Sequence, residues 1–142
     1  MLFRSDLGAE TSDGFADIVD MGLLKPDGPP FSDGWLKAPR GCVPSGIDLP
    51  FVRSVTVNRV LSAPASIAWV RQRYDPDLVN MEGAALFHAC LLQRVPFIEI
   101  RAVSDMVGPR DTRDWDIAGA VEALDARLWA LLEGLGGASS SP

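Results

Sequence analysis

The chain has 142 residues and a formal net charge of −6 at pH 7, with 13 basic residues against 19 acidic ones. This length allows one domain of ordinary size, and the acidic balance argues against a nucleic-acid-binding surface. No apolar run reaches the ~18 residues of a membrane span, and the first residues lack the pattern of a signal peptide. The two cysteines and the one histidine are not spaced as metal ligands. We therefore expect a cytoplasmic protein without metal or other cofactors and without membrane or nucleic-acid partners.

The first third of the chain is rich in turn-forming sequence. Glycine and proline interrupt residues 6–50 repeatedly, most densely at residues 25–30. This composition predicts a long irregular segment, in which residues 15–24 could form one short amphipathic helix. Because a structureless segment of this length is uncommon in a compact domain, we expect it either to cover a site or to lie against sequence that this chain lacks.

A regular alternation of strands and helices begins near residue 52. Strands, rich in apolar and β-branched residues, are predicted at residues 52–60, 78–81 and 95–103. Helices are predicted at residues 64–74, 83–94 and 117–133. The third strand has the composition of a central strand that is buried on both faces. The order β-α-β-α-β-α implies an α/β fold, with helices packed on a parallel sheet.

Two acidic residues follow neighbouring strands of this predicted sheet, at the edge where ligands bind in such folds. Glu82 lies at the start of a helix, where it should stay ionised and could accept hydrogen bonds from a vicinal diol such as that of ribose. Alternatively, it only caps its helix. Asp105 could donate a proton to a leaving group, or it could simply start a loop as an Asx turn. Together, the pair suits chemistry on a sugar that carries a basic leaving group.

Other polar side chains have simpler interpretations. His88 reads as a partly buried histidine on a helix, and Cys42 and Cys90 read as unpaired thiols. Glu99 and Arg101 are two residues apart on a predicted strand, so they share one face of the sheet. If that face is buried, both charges must pair with something.

Two motifs, NMEGAA at residues 80–85 and RAVSD at residues 101–105, resemble those of the nucleoside phosphorylase and nucleosidase superfamily. Within it, the sequences DLGAET at residues 6–11 and FIEIR at residues 97–101 look like the futalosine hydrolases. The resemblance implies a three-layer, phosphorylase-like α/β fold with a mixed central sheet flanked by helices. It implies a single partial domain at residues 6–135, followed by a disordered tail at residues 136–142.

The reaction implied by this resemblance is hydrolysis of the N-glycosidic bond of futalosine or aminofutalosine, in menaquinone biosynthesis. It would release hypoxanthine or adenine and dehypoxanthine futalosine through an oxocarbenium-like transition state. The resemblance assigns Asp105 to N7 of the purine and Glu82 to the ribose hydroxyls, with Met81 packed on the sugar. It also implies a homo-oligomer.

Three further residues are expected to bind substrate. Thr56 and Val57 would lie near the base at the end of their strand, as the resemblance implies. Arg110 follows Asp105 in a mixed-charge loop and could hold the carboxylate of futalosine.

Several alternatives stay open. Aspartate at position 105 suits a 6-aminopurine, which keeps a methylthioadenosine/adenosylhomocysteine nucleosidase among the candidates. A purine nucleoside phosphorylase is another candidate, and an inactive fragment of such an enzyme is a third. The family's first strands and its water-activating carboxylate are expected to be missing, because nothing before residue 6 looks like family sequence.

Overall fold

The computed structural model describes residues 2–12, 14–39, 41, 43, 47–109 and 111–137. The strands, in chain order, are β1 (Leu2–Ser5), β2 (Gly8–Thr11), β3 (Gly14–Asp17), β4 (Phe31–Ser32), β5 (Trp35–Lys37), β6 (Arg53–Thr56) and β7 (Leu78–Asn80). The helices are α1 (Pro64–Tyr74), α2 (Gly83–Gln93) and α3 (Ile117–Gly137), with one 3₁₀ turn at Thr112–Asp114. No helix in these described ranges is both long and apolar enough to span a membrane.

Five of the strands form one mixed sheet in the order β4-β5-β1-β6-β7. Strand β6 lies parallel to both β1 and β7, whereas β5 is antiparallel to β1 and to β4. Strands β2 and β3 form a separate antiparallel hairpin. The predicted α/β class and mixed sheet are confirmed.

Helices α1 and α2 cover opposite faces of this sheet. One core cluster consists of Val55, Val57, Leu61, Val70 and Tyr74. The other consists of Leu36, Ala84 and Phe87. Because successive residues of a strand point to opposite faces, Val55 of β6 packs toward α1 while Thr56 faces the start of α2. The molecule therefore has three layers, and the β7–α2 turn lies at the carboxyl edge of the parallel strands.

The prediction that residues 6–50 are irregular is wrong, because β2, β3, β4 and β5 all lie within this range. The helix expected at residues 15–24 is absent, and Phe15 instead pairs with Glu10 in the hairpin. The Asp17 carboxylate then accepts hydrogen bonds from the backbone N–H groups of Val19 and Asp20, both at 2.9 Å. These bonds favour a turn over a helix. These strands are only two to four residues long, which is too short for an alternating pattern to show in the sequence.

Strand β1 precedes residue 6, the predicted start of the domain, and lies in the middle of the sheet. Arg4 fastens the strand by donating from Nε to the Gly34 carbonyl at 2.9 Å. Its guanidinium also lies 5.7 Å from the ring centroids of both Trp35 and Tyr74. At the other end, α3 continues to Gly137. Residues 138–142 of the predicted tail lie outside the described residues.

The central strand predicted at residues 95–103 is also wrong. These residues belong to no strand, and β7 is the last strand in the sheet order. The segment is partly buried and lines an apolar cleft of about 310 Å³, together with residues from 47–52. Apolar, β-branched composition predicts burial in an extended form, but it does not specify a hydrogen-bonding partner.

Helix α3 begins as the sequence predicts. Asp116 accepts a hydrogen bond from the Gly119 N–H at 2.9 Å, as an N-terminal capping residue does. Large apolar side chains along the helix are exposed, namely Ile117, Val121, Leu128, Trp129 and Leu132.

Candidate functional site

The turn between β7 and α2 is capped by Asn80. Its Oδ1 accepts hydrogen bonds from the backbone N–H groups of Glu82, at 3.1 Å, and Gly83, at 2.7 Å. Backbone N–H groups in a first helical turn have no partner within the helix, so a side chain, water or a ligand has to supply one. Glu82 makes no capping hydrogen bond, and its side chain is 75% exposed. The interpretation that Glu82 only caps its helix is therefore wrong, and its carboxylate is open to a ligand.

Asn80 also ties this turn to β6. Its Nδ2 donates to Ser54 Oγ at 2.6 Å and to the Val55 carbonyl at 3.2 Å. The Thr56 hydroxyl donates to Asn80 Oδ1 at 2.8 Å and accepts from the Ala84 N–H at 2.8 Å. Asn80 is not among the predicted site residues, although its position two residues before the candidate ribose-binding glutamate is a signal for it. The helix start that presents Glu82 is thus fixed to the sheet by side chains.

Arg101 connects Glu82 to the segment that carries Asp105. Its Nη1 lies 3.7 Å from Oε2 of Glu82. Its Nε also donates to Glu99, whose side chain is only 8% exposed. The sequence predicts that these two charges need partners if they are buried, and in the structure they pair with each other, although the segment is not a strand. Arg101 is a site residue to which no role is given by the sequence prediction.

Asp105 lies at the start of the loop before α3 and is partly buried. Its Oδ1 accepts a hydrogen bond from the Ser104 hydroxyl at 2.7 Å. The Ser104 carbonyl accepts from the Asp116 N–H at 2.8 Å, which anchors the loop to the start of the last helix. The segment before Asp105 is not a strand, so strand pairing does not connect Asp105 to the β7–α2 turn. The connection is the ion pair between Arg101, on this segment, and Glu82.

The other predicted substrate-binding residues differ in exposure. Met81 is 47% exposed and is available to a ligand. The side chains of Thr56 and Val57 are buried, so their predicted contact with a base would involve the backbone at the strand end. Arg110 lies outside the described residues.

The histidine and the cysteines are not among the predicted site residues. His88 is partly buried on α2, with its ring 5.8 Å from that of Phe31, as the sequence predicts. Cys90 is a free thiol, and Cys42 lies outside the described residues. Within the described ranges, no three His, Cys, Asp or Glu side chains cluster as metal ligands.

The apolar cleft is not the site of the two acids. It is lined by Asp77 and Leu78, at the amino end of β7, whereas Met81 and Glu82 follow the carboxyl end of the same strand. Arg101 lines the cleft and also faces Glu82, so it marks where the two regions meet.

The clearest pKa shifts lie away from the site, where the hairpin meets α1. Burial raises the pKa of Asp17, but hydrogen bonds from Arg73 and from two backbone N–H groups outweigh it and lower this pKa below its usual value. Arg73 donates to Asp17 at 2.9 Å and to Asp20 at 2.7 Å. Burial, together with the charge of Asp17, raises the pKa of Tyr74 to about 12.

Comparison with known proteins supports the motifs. The sequence model described as Phosphorylase superfamily matches residues 6–133. A futalosine hydrolase from Streptomyces coelicolor is 36% identical over 124 residues, which cover 84% of this chain and 49% of the relative. A futalosine hydrolase from Thermus thermophilus is 35% identical over 97 residues, covering 68% of this chain and 43% of the relative.

A more distant relative has a different named activity. A 5′-methylthioadenosine/S-adenosylhomocysteine nucleosidase from Bacillus pumilus is 35% identical over 63 residues, covering 43% of this chain and 27% of the relative. No solved structure matches the chain significantly. The chain spans about half the length of the futalosine hydrolases that it matches. The family match and the fold together establish that the chain belongs to the phosphorylase superfamily.

Proposed function

We propose that this chain carries the ribose- and purine-binding residues of a nucleosidase that hydrolyses the N-glycosidic bond of futalosine or aminofutalosine. One observation carries the proposal: the exposed Glu82 carboxylate lies beside Arg101 at the carboxyl edge of the sheet, in a chain whose relatives are named futalosine hydrolase. The products are hypoxanthine or adenine and dehypoxanthine futalosine.

Glu82 binds the ribose in this proposal. An ionised carboxylate accepts two hydrogen bonds, which matches the 2′- and 3′-hydroxyls of a ribose. Its negative charge also stabilises the positive charge that develops on the sugar as the N-glycosidic bond breaks. Met81 is half exposed beside Glu82 and packs on the sugar ring.

Asp105 activates the leaving purine. The bond between ribose C1′ and purine N9 breaks with its electron pair moving to the base, while the Asp105 carboxyl gives a proton to N7. Water supplies a hydroxyl group to C1′, and its remaining proton restores the carboxyl. The backbone near Thr56 and Val57 contacts the base, and Arg110 holds the carboxylate of futalosine.

The setting of this reaction is also part of the proposal. We expect a cytoplasmic enzyme of menaquinone biosynthesis that takes a small nucleoside and no nucleic acid, which agrees with the net charge of −6. The exposed apolar side chains on α3 favour assembly into a homo-oligomer.

A methylthioadenosine/adenosylhomocysteine nucleosidase is the second candidate. The relative from Bacillus pumilus favours it, and so does Asp105, because a carboxyl group suits a 6-aminopurine. Both candidates use the same two acids and differ in the base and in the group on the 5′ side of the ribose.

The purified chain is tested with futalosine, aminofutalosine and methylthioadenosine, each with and without phosphate. Free base released from futalosine or aminofutalosine without phosphate is the expected result. Release from methylthioadenosine alone favours the second candidate, whereas dependence on phosphate indicates a phosphorylase. If none of the three substrates releases free base, the proposal is contradicted. Glu82→Gln should lose activity, and Glu10→Gln on the exposed hairpin is the matched control.

A further inference from the structure

We propose that Asn80 is the positioning residue of the candidate site and that its carboxamide sets the direction in which Met81 and Glu82 meet a ribose. The inference rests on the proposed function, because it concerns the same ribose-binding turn. It starts from the number and direction of the hydrogen bonds that one buried side chain makes.

Both ends of the Asn80 carboxamide are hydrogen-bonded. The residue is 7% exposed, and its Oδ1 accepts three hydrogen bonds, from the Thr56 hydroxyl and from the N–H groups of Glu82 and Gly83. Its Nδ2 donates to Ser54 Oγ and to the Val55 carbonyl. A buried amide with both ends satisfied has one favourable orientation. The carboxamide therefore acts as a rigid connection between β6 and the first turn of α2.

This connection fixes the backbone on both sides of Met81. Asn80 is the last residue of β7, and the N–H of Glu82 is bonded to the Asn80 side chain. The Glu82 side chain is 75% exposed and makes no capping hydrogen bond to its own helix start. Its placement thus depends on the backbone of the turn, which Asn80 holds, and on Arg101 at 3.7 Å.

The chemistry of the position requires an amide. Aspartate could still accept from Thr56, Glu82 and Gly83, but its second oxygen would face the Val55 carbonyl with no proton between them. It would also place a second negative charge two residues from Glu82. Asn80→Asp therefore keeps the bonds that Oδ1 accepts from α2 and from Thr56, and it loses the two bonds that Nδ2 donates to Ser54 and Val55.

Thr56 completes the connection from the strand side. Its hydroxyl donates to Asn80 and accepts from the Ala84 N–H, so it holds the same helix start one residue further on. Thr56→Val removes both bonds at nearly constant volume. Thr11→Val, on the exposed hairpin, changes the same residue type away from this network.

The first test is amide hydrogen exchange in the full chain, which does not depend on enzyme activity. Asn80→Ala should speed exchange at Glu82 and Gly83 about tenfold relative to α3, since each amide loses its acceptor. Asn80→Asp should keep slow exchange there, Thr56→Val should speed exchange at Ala84, and Thr11→Val should change none of these amides. Unchanged exchange at Glu82 and Gly83 in Asn80→Ala overturns the proposal. If Asn80→Ala does not fold, the Thr56→Val variant decides, and unchanged exchange at Ala84 in that variant overturns the proposal.

The second test compares futalosine with its 2′-deoxyribose analogue, using the ratio of their kcat/KM values. Asn80→Ala should reduce the preference for ribose about tenfold, and it should have no further effect on this ratio in a Glu82→Gln background. A purely structural defect would lower kcat/KM for both substrates equally, and that result overturns the positioning role. If the unaltered chain hydrolyses neither substrate, the proposed function fails, while the exchange experiment still decides whether Asn80 holds the turn.

Discussion

One guanidinium group, that of Arg101, pairs with two carboxylates in very different surroundings. Its Nη1 lies 3.7 Å from Glu82, whose side chain is 75% exposed, and its Nε donates to Glu99, whose side chain is 8% exposed. Charge pairs in water contribute little to stability, whereas a buried charge without a partner is costly. The pair with Glu99 therefore matters for folding, and the pair with Glu82 matters for how the candidate site is arranged.

Replacing Arg101 should cost much more stability than replacing Glu82. Arg101→Met should lower the free energy of unfolding by about 2 kcal/mol, because the Glu99 carboxylate is left buried without its partner. Glu82→Gln should change it by less than about 0.5 kcal/mol. Urea denaturation measures both values. The double variant Arg101→Met/Glu99→Leu should recover most of the stability lost in Arg101→Met. Equal losses of stability in Arg101→Met and Glu82→Gln would contradict this assignment.

Asp105 should control the chemical step more than substrate binding. Asp105→Ala should lower kcat for base release about 100-fold or more, because the leaving purine loses its proton donor. KM should change much less than kcat. Asp125→Asn, on the exposed side of α3, is the control and should keep the original rate. A kcat for Asp105→Ala within threefold of the value for the unaltered chain, a difference of roughly 0.7 kcal/mol in barrier height, would remove Asp105 from the mechanism.

The Asp17–Arg73 pair should make stability depend on pH in the acid range. The pKa of Asp17 is lowered in the folded chain, so its contribution is present above the ordinary value of 3.8 and is lost as the pH falls through the folded value. Asp17→Asn should therefore destabilise the protein by about 2 kcal/mol at pH 7 and much less near pH 2. Denaturation curves at several pH values measure this difference. A loss that stays constant with pH would show that the charge is not responsible.

Tyr74 should titrate with a raised pKa of about 12 in the folded protein. It is the one tyrosine of the chain, so the ultraviolet absorbance of the phenolate reports it alone. Because the folded state holds this proton more tightly than the unfolded state does, Tyr74 adds stability below the ordinary value of 10.0 that is lost as the pH rises toward 12. Tyr74→Phe should remove this alkaline loss. A transition near 10 in the folded protein would contradict the burial of the phenol.

The three helices and the carboxylate at the head of α2 could be predicted from the sequence, because each depends on local chemistry. Proline tolerated in a first turn marks the start of α1 at Pro64, and Asp116 caps α3. Apolar spacing gives the extent of α2 to within one residue of its observed end. The motif around Glu82 could also be predicted, and so could the need of Glu99 and Arg101 for partners if they are buried, since a buried charge requires one.

The parallel pair β6–β7 follows from the β-α-β order, but the pairing of β1 with β5 and β6 could not be predicted, because it depends on which distant segment supplies the hydrogen bonds. Leu2–Ser5 becomes a central strand because β5 and β6 lie on either side of it, while residues 95–103 have a strand-like composition and join no sheet. The same limit applies to Asn80. Its residue type suggests a turn, but only the tertiary structure places Ser54, Val55 and Thr56 around its carboxamide. Local sequence thus determined the helices and the acids, and the contacts between distant strands decided how the turn carrying Glu82 is held.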